Sequence, residues 1–247
     1  MDRLLYIAMT GASQVSRAQA VNSNNLANAS TQGFRADLDA FRSLPLNGPG
    51  HSSRVYAVDS GQGVDFSLGS LNATGNSLDV ALNGQGWIAV QAADGSEAYS
   101  RAGNLQVNEL GQLLTGAGQP VIGQDGGPIS IPPFEKLDIG DDGTISIRAQ
   151  GQEAATLANV NRIKLVNPDT ANMYKGHDGL MRVQEGVAVV ADANIKLLNG
   201  MIEGSNVNAV ESLVNMITLA RQFEMHVKMM STAQENDAAS TQLMRIA

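Results

Sequence analysis

The stretch AVESLVNMITLARQFEMHVKMM, residues 209–230, decides the architecture. Apolar residues recur at Ala209, Leu213, Met216, Ala220, Phe223, Val227 and Met230, in alternating steps of four and three. That spacing lines them up along an α-helix as a heptad seam. Val210, Val214 and Ile217 widen the seam over its first turns. Asn208, followed three residues later by Glu211, reads as an N-cap with its partner. No glycine or proline follows Gly204. The reading is therefore one helix of about forty residues, roughly 60 Å long at 1.5 Å per residue. A helix of that length needs a partner to cover its seam, in its own chain or in another.

The other end of the chain carries a second helical pattern over residues 2–28. Leu5, Ala8, Ala12, Val15, Gln19, Asn22 and Leu26 keep the same alternation, with small and polar members. Gly11 weakens this helix by about 1 kcal/mol relative to alanine. The run Ser23-Asn24-Asn25-Leu26-Ala27-Asn28-Ala29-Ser30-Thr31-Gln32-Gly33-Phe34-Arg35 supplies the stop. Its Asn, Ser and Thr side chains compete for backbone hydrogen bonds, and Gly33 can take a positive φ.

Everything between is punctuated by turns. All seven prolines lie between 45 and 168, and 25 of the 26 glycines between 33 and 204. Residues 36–75 read as a connector with short extended segments around Val55, Ala57, Val64, Phe66 and Leu68. From residue 76 to 203, alternating runs are separated by turn signals about every ten residues, as in an antiparallel sheet folded on itself. These runs include Leu78 to Leu82, Trp87 to Ala92, Leu105 to Val107, Leu113-Leu114, Ile163 to Val166, Leu180 to Val183, Val187 to Val190 and Ile195 to Leu198. The fold class is α+β: long N- and C-terminal helices that pair around a mainly antiparallel β middle. The expected divisions are 1–35, 36–75, 76–203 and 204–247.

Charge follows the same partition. The net charge is −8; residues 1–35 carry +2 and residues 204–247 carry −1, which leaves −9 on the middle. Near-neutral ends can lie side by side with little repulsion. An acidic middle argues against nucleic acid, which needs a basic face. The absence of cysteine removes disulfides and thiolate metal sites. The short apolar run Leu4 to Met9 is far below the length of a membrane span or a secretory signal, so neither direct membrane insertion nor a cleaved leader is expected.

No catalytic constellation emerges, and the chain reads as a non-enzyme with no cofactor. His51, His177 and His226 lie in different segments and do not form a metal cluster. Asp138, Gly140, Asp141, Asp142 and Gly143 lack the spacing and closing glutamate of a calcium loop and read as a hairpin turn. Gly61-Gln62-Gly63 and Gly84-Gln85-Gly86 precede no helix and read as turns, not phosphate loops. The bulky seam residues are too few to outweigh the ordering of forty residues, so both ends are expected to be mobile in the monomer and to fold when subunits associate.

Three stretches together resemble one family, the axial proteins of the bacterial flagellum that build rod and hook. The first is Asn24, Asn25, Leu26, Ala27 and Asn28 with Thr31, Gly33, Phe34 and Arg35. The second runs from Leu78-Asp79-Val80-Ala81-Leu82 through Gly84, Gly86, Trp87, Tyr99, Arg101 and Gly103 to Gly118-Gln119-Pro120-Val121-Ile122-Gly123. The third is Glu203 and Gly204, Ser205, Asn206, Val207 and Asn208, with Met216-Ile217 and Arg221-Gln222-Phe223-Glu224. The length and compact middle are most similar to the proximal-rod branch, the F-type subunits, with the distal rod or hook branch as the alternative.

The resemblance implies a structural subunit that polymerises into a hollow drive shaft and export channel in the basal body, crossing the periplasm. It implies terminal helices in an inner tubular layer and a β middle facing outward. The implied partners are other flagellar rod proteins, copies of the chain itself in a helical assembly, and the flagellar type III export apparatus, which passes subunits without a cleaved signal. The assembly interface would comprise Leu5, Ala8, Ala12, Val15 and Leu26 on the first helix. On the last it would comprise Leu213, Met216, Ile217, Ala220, Phe223, Val227 and Met230. Two other classes stand beside this one. A trimeric fibre protein would need a sustained seam, whereas this one turns to Gln234, Asp237 and Thr241 after Met230. A periplasmic β-domain enzyme or binding module would need clustered carboxylates or aromatics, and the single Trp and four Tyr are scattered.

Overall fold

Helix-forming sequence is confined to the two ends, and the turn-rich middle folds as strands. A computed structural model of the chain describes residues 3–45, 55–149, 158–184, 186–187 and 189–246. Helix α1 spans Arg3–Ala27, 25 residues, and α2 spans Ala209–Ile246, 38 residues. Asn208 caps α2: its Oδ1 accepts from the N–H of Val210 at 3.1 Å and of Glu211 at 3.3 Å. α1 ends where Asn28 turns back on the helix. Its N–H bonds the carbonyls of Asn24 and Asn25, both at 3.1 Å, and its side chain donates to the Asn24 carbonyl at 2.9 Å.

Between the helices run, in order, β1 (Asp37–Pro45), β2 (Val55–Val64), β3 (Leu71–Ala73), β4 (Val80–Asn83), β5 (Trp87–Gln91), β6 (Glu97–Ser100), β7 (Leu105–Val107) and β8 (Leu113–Thr115). They are followed by β9 (Phe134–Ile139), β10 (Thr144–Ala149), β11 (Ala158–Arg162), β12 (Leu165–Val166), β13 (Met173–Lys175), β14 (Met181–Val183), β15 (Lys196–Asn199) and β16 (Met201–Glu203).

The described residues fall into two units. A helical unit takes those within 1–29, 36–65 and 207–247; a β body takes those within 30–35 and 66–206. In the helical unit α1 and α2 are antiparallel, since Asn22 bonds Ser212 while Gly11 meets His226. Strands β1 and β2 pair from Asp37 with Val64 to Pro45 with Val55, with a bulge between Asp39 and Phe41, and both contact α1.

The body contains a five-stranded antiparallel sheet, β12-β5-β6-β14-β13, and a three-stranded one, β11-β10-β9. Smaller ribbons pair β4 with β15, β3 with β16 and β7 with β8. Its core is aliphatic, with Ile88, Val90, Leu113, Val121, Ile129 and Ile145 fully buried. The turns form by side-chain acceptance. Asp94 Oδ1 takes the Ser96 N–H at 2.9 Å between β5 and β6, and Asp142 Oδ1 takes the Thr144 N–H at 3.0 Å between β9 and β10. The aspartate-rich stretch around Asp142 is thus a hairpin turn, as its spacing indicates. One expected strand does not form: Val187, Val189 and Val190 are not in a strand. Gly186 at φ 90° opens a turn there, and Val187 and Val190 are left exposed.

Candidate functional site

Two arrangements stand out, one within each unit. In the helical unit the question is which line of α2 meets α1. Ser212 and Ala233 are buried, and Met216, Leu219, His226 and Met230 are half-buried. Their steps of four and three mark the face toward α1. The partner face of α1 is made of small residues: Ala8 and Ala12 are buried, and Gly11 sits under the His226 ring. Asn22 Nδ2 donates to the Ser212 carbonyl at 2.8 Å and fixes the register. Small side chains on α1 let the helices approach closely, and the α2 side of the seam mixes Ser212, His226 and Ala233 with Met216, Leu219 and Met230.

The residues expected to form the assembly interface therefore divide. Leu5, Ala8, Ala12, Val15 and Leu26 are buried or half-buried on α1, and Met216, Ala220 and Met230 are half-buried on α2. Leu213 is 49%, Ile217 56%, Phe223 38% and Val227 45% exposed. Val210 and Val214 are exposed beside Leu213 and Ile217. Val210, Leu213, Val214 and Ile217 are linked by steps of three and four and lie on the side of the helix away from Ser212 and Leu219. The intramolecular seam is thus rotated from the apolar line read in the sequence. The notch at Gly11 takes the His226 ring, and Val210, Leu213, Val214 and Ile217 remain outside.

In the β body the site is a knot of charged groups at the places where the chain enters and leaves. Glu203, 1% exposed, ends β16. Its Oε1 accepts from Arg35 Nη2 at 2.5 Å and from the Gly69 N–H at 2.8 Å; its Oε2 accepts from Arg101 Nε at 2.6 Å. Its backbone carbonyl accepts the Gly33 N–H at 2.9 Å. Arg101 also donates to the carbonyls of Gly86 at 2.8 Å and Gly84 at 2.7 Å. Both guanidinium carbons lie near the Trp87 ring, 6.0 Å from its centroid for Arg35 and 5.7 Å for Arg101, and Phe66 meets that ring edge-on. Burial pulls the Arg101 guanidinium below its ordinary pKa; the Glu203 carboxylate pulls it back and Arg35 opposes that.

The signature residues explain themselves around this knot. Gly33 has φ 68°, and a Cβ there would lie 2.7 Å from the Arg101 carbonyl oxygen, so both the turn and the space require glycine. Phe34 lies under Lys175 Nζ, 3.8 Å from its ring centroid. Gly204 N–H bonds the Ser70 carbonyl at 2.8 Å, and Asn206 Nδ2 bonds Ser67 Oγ and its carbonyl, both at 3.2 Å. Within the helical unit Asn25 pairs with the Asp37 backbone, donating to its carbonyl and accepting its N–H, each at 2.8 Å. Asn24 and Asn28 close α1, and Asn208 opens α2. Leu26, Ala29 and Val207 are half-buried, Ala27 and Thr31 are exposed, and Ser205 is half-buried. The charged knot itself was not anticipated. Arg35, Arg101 and Glu203 each stand in a signature stretch, but nothing in their spacing joins residues 102 and 168 positions apart. His51 lies outside the described residues, while His177 belongs to the body and His226 to the helical unit.

Family models match three parts of the chain. Residues 5–35 match the flagella basal body rod protein model, residues 81–147 the D1 domain of flagellar hook protein FlgE/F/G, and residues 198–243 the C-terminal model of flagellar basal body rod FlgEFG protein. Each contributes one member of the charged knot. The chain is 44% identical to the flagellar basal-body rod protein FlgF of Salmonella typhimurium over 250 residues, 99% of each protein. It is equally similar to FlgF of Escherichia coli K12, with 44% identity and 99% of each covered. It is 33% identical to the flagellar basal-body rod protein FlgG of Buchnera aphidicola subsp. Schizaphis graminum over 261 residues, 94% of this chain and 95% of the relative.

Proposed function

Because the chain belongs to the FlgF family of flagellar basal-body rod proteins, a family of structural subunits and not of enzymes, we propose that it polymerises through its two terminal helices. In this reading the subunit sits in the proximal rod, beside copies of itself and other rod proteins. The rod crosses the periplasm and surrounds the export channel. Subunits arrive through the flagellar type III apparatus without loss of a leader. No described helix is long and apolar enough to cross a membrane.

The observation that carries the reading is the division of α2. The line through Ser212, His226 and Ala233 is spent on α1, and a second, apolar line, Val210, Leu213, Val214 and Ile217, is left uncovered. Each such side chain gains about 1.5–3 kcal/mol when fully buried. A neighbouring subunit supplies that burial in a polymer.

The test is the double substitution Leu213→Glu/Ile217→Glu. Both positions are exposed in the single chain, so the body should keep its native Trp87 fluorescence and urea midpoint while cells carrying the variant lose motility. Normal swimming by that strain would refute the helix-mediated assembly. A companion change, Leu110→Glu, introduces a glutamate at an 81% exposed body turn and should leave swimming intact.

A further inference from the structure

The charged knot holds two guanidiniums against one carboxylate. All three side chains are at most 3% exposed, and Arg35 Nε and Nη1 are buried with no hydrogen-bond partner. The balance is therefore one surplus positive charge, with two donors of Arg35 left unsatisfied. Burying a charge without a full set of partners is costly, and exchanging such a group for an apolar one is often neutral or stabilising. The Trp87 face offsets part of this, since an aromatic face attracts a cation.

The same knot fastens the places where the chain enters and leaves the body. Residues 30–35, 66–70 and 203–206 each adjoin a passage into the other unit. Glu203 ties the first through Gly33 and Arg35, and the second through Gly69. Gly204 and Asn206 add bonds to Ser70 and Ser67, and the Asn206 N–H reaches the Phe34 carbonyl at 3.4 Å. The segments are short, and β3 beside them is exposed throughout. The aliphatic core, by contrast, consists of other residues, drawn from strands between β4 and β15 and the loops that join them.

From this we infer that the Glu203 knot is a latch: the three entry and exit segments open and close together, as one cooperative unit, while the aliphatic core stays folded. Glu203 holds the latch closed, and the surplus guanidinium of Arg35 biases it toward opening. The ends of the chain can then be released and reset without melting the β body. Stability distributed in such local units is a general property of folded chains, and segments with few buried apolar contacts are the ones that open first.

Native-state hydrogen exchange on the full-length protein tests the latch. The amides of Gly33, Gly69, Gly204 and Asn206 should exchange with one common opening constant, faster than those of Ile88, Val121 and Ile129. Glu203→Gln removes the carboxylate charge and should speed exchange at the four latch amides roughly 10- to 100-fold, the worth of a charge-assisted bond. The core amides should not change. Arg35→Met leaves Arg101 and Glu203 as a one-to-one pair and should slow exchange at Gly69 and Gly204, with the urea midpoint of the body at or above that of the parent. Latch amides that exchange together with the core in the parent protein would overturn the inference. So would an Arg35→Met variant whose Gly69 and Gly204 amides exchange as fast as the parent's or faster. Arg35→Met retains the paired carboxylate and so keeps the test open even if Glu203→Gln does not fold.

Discussion

Gly11 of α1 lies directly under the imidazole of His226 on α2: a Cβ at position 11 would stand 2.8 Å from Nδ1 and closer still to Cε1. By propensity alone, Gly11→Ala should stabilise α1 by about 1 kcal/mol. Here the added methyl must push the helices apart or move the ring, and overpacking of that kind costs about 1–3 kcal/mol. Gly11→Ala should therefore lower the thermal midpoint of the helical signal. In a His226→Ala background the obstruction is gone, and the same substitution should raise it. The reversal of sign is the measurement. The same sign in both backgrounds would mean that the notch does not set the helix spacing.

Gly33 makes a second, separable demand. Its φ of 68° disfavours any side chain, and a Cβ would also meet the backbone of Arg101 and Ala102. Gly118 has φ 86° with nothing within 4 Å of a built Cβ. Gly118→Ala should cost only the strain, about 1 kcal/mol, whereas Gly33→Ala should cost about 2 kcal/mol or more because the Arg101 segment must also move. Urea denaturation read at Trp87, the single tryptophan, measures both. Equal losses would remove the steric argument.

Three carboxyls of the body are held below their ordinary pKa of 3.8. The hydroxyl of Ser96 does this for Asp94, the N–H of Thr144 for Asp142, and the guanidinium of Arg182 for Asp178. A depressed carboxyl contributes stability that is present above the unfolded value and lost as pH falls through the folded one. The stability these three carboxyls supply should accordingly be lost only below about pH 4, and Asp178→Asn should make that acid limb shallower. Urea midpoints between pH 2.5 and 6 decide it; an unchanged slope in the variant would remove Asp178 from the account.

Much of this architecture was legible where local rules govern. The Asn208 cap, the length of α2, the end of α1 at Asn28 and the turns at Asp94 and Asp142 all follow from side chains acting on their own neighbourhood. The face of α2 that meets α1 was not legible, because it depends on the partner. Gly11 lies under His226, Asn22 bonds Ser212, and the line of α2 that runs through Ser212 and Ala233 is the buried one, so the most apolar line is not the one used within the chain. Val187 to Val190 has strand-like composition, but the turn at Gly186 precedes it, and Val187, Val189 and Val190 form no part of the core. The latch was illegible for a different reason: Arg35, Arg101 and Glu203 are distant in sequence, and no periodicity links them. The available signal was that each carries a charge within an otherwise uncharged or apolar part of a signature stretch.

The end of α2 separates the needs of the single chain from those of the assembly. Ala233 is the last buried residue of the helix, and the side chains described beyond it, Gln234 to Gln242 and Met244, are exposed. Exposed side chains add little to the stability of one molecule, and frayed helical ends contribute little to folding free energy. Removing residues 238–247 should change the thermal midpoint of the remaining protein by no more than about 0.5 kcal/mol in stability, the range of surface changes. Hydrogen exchange in dilute solution should find residues 236–246 unprotected in the full-length chain, while amides of α2 between Ser212 and Met230 are protected by α1. If the rod reading holds, the truncated strain should nevertheless swim poorly, because the segment is retained for contact between subunits. Strong protection of residues 236–246 in dilute monomer, or full motility after the truncation, would show that the end of the helix serves the single chain or serves nothing.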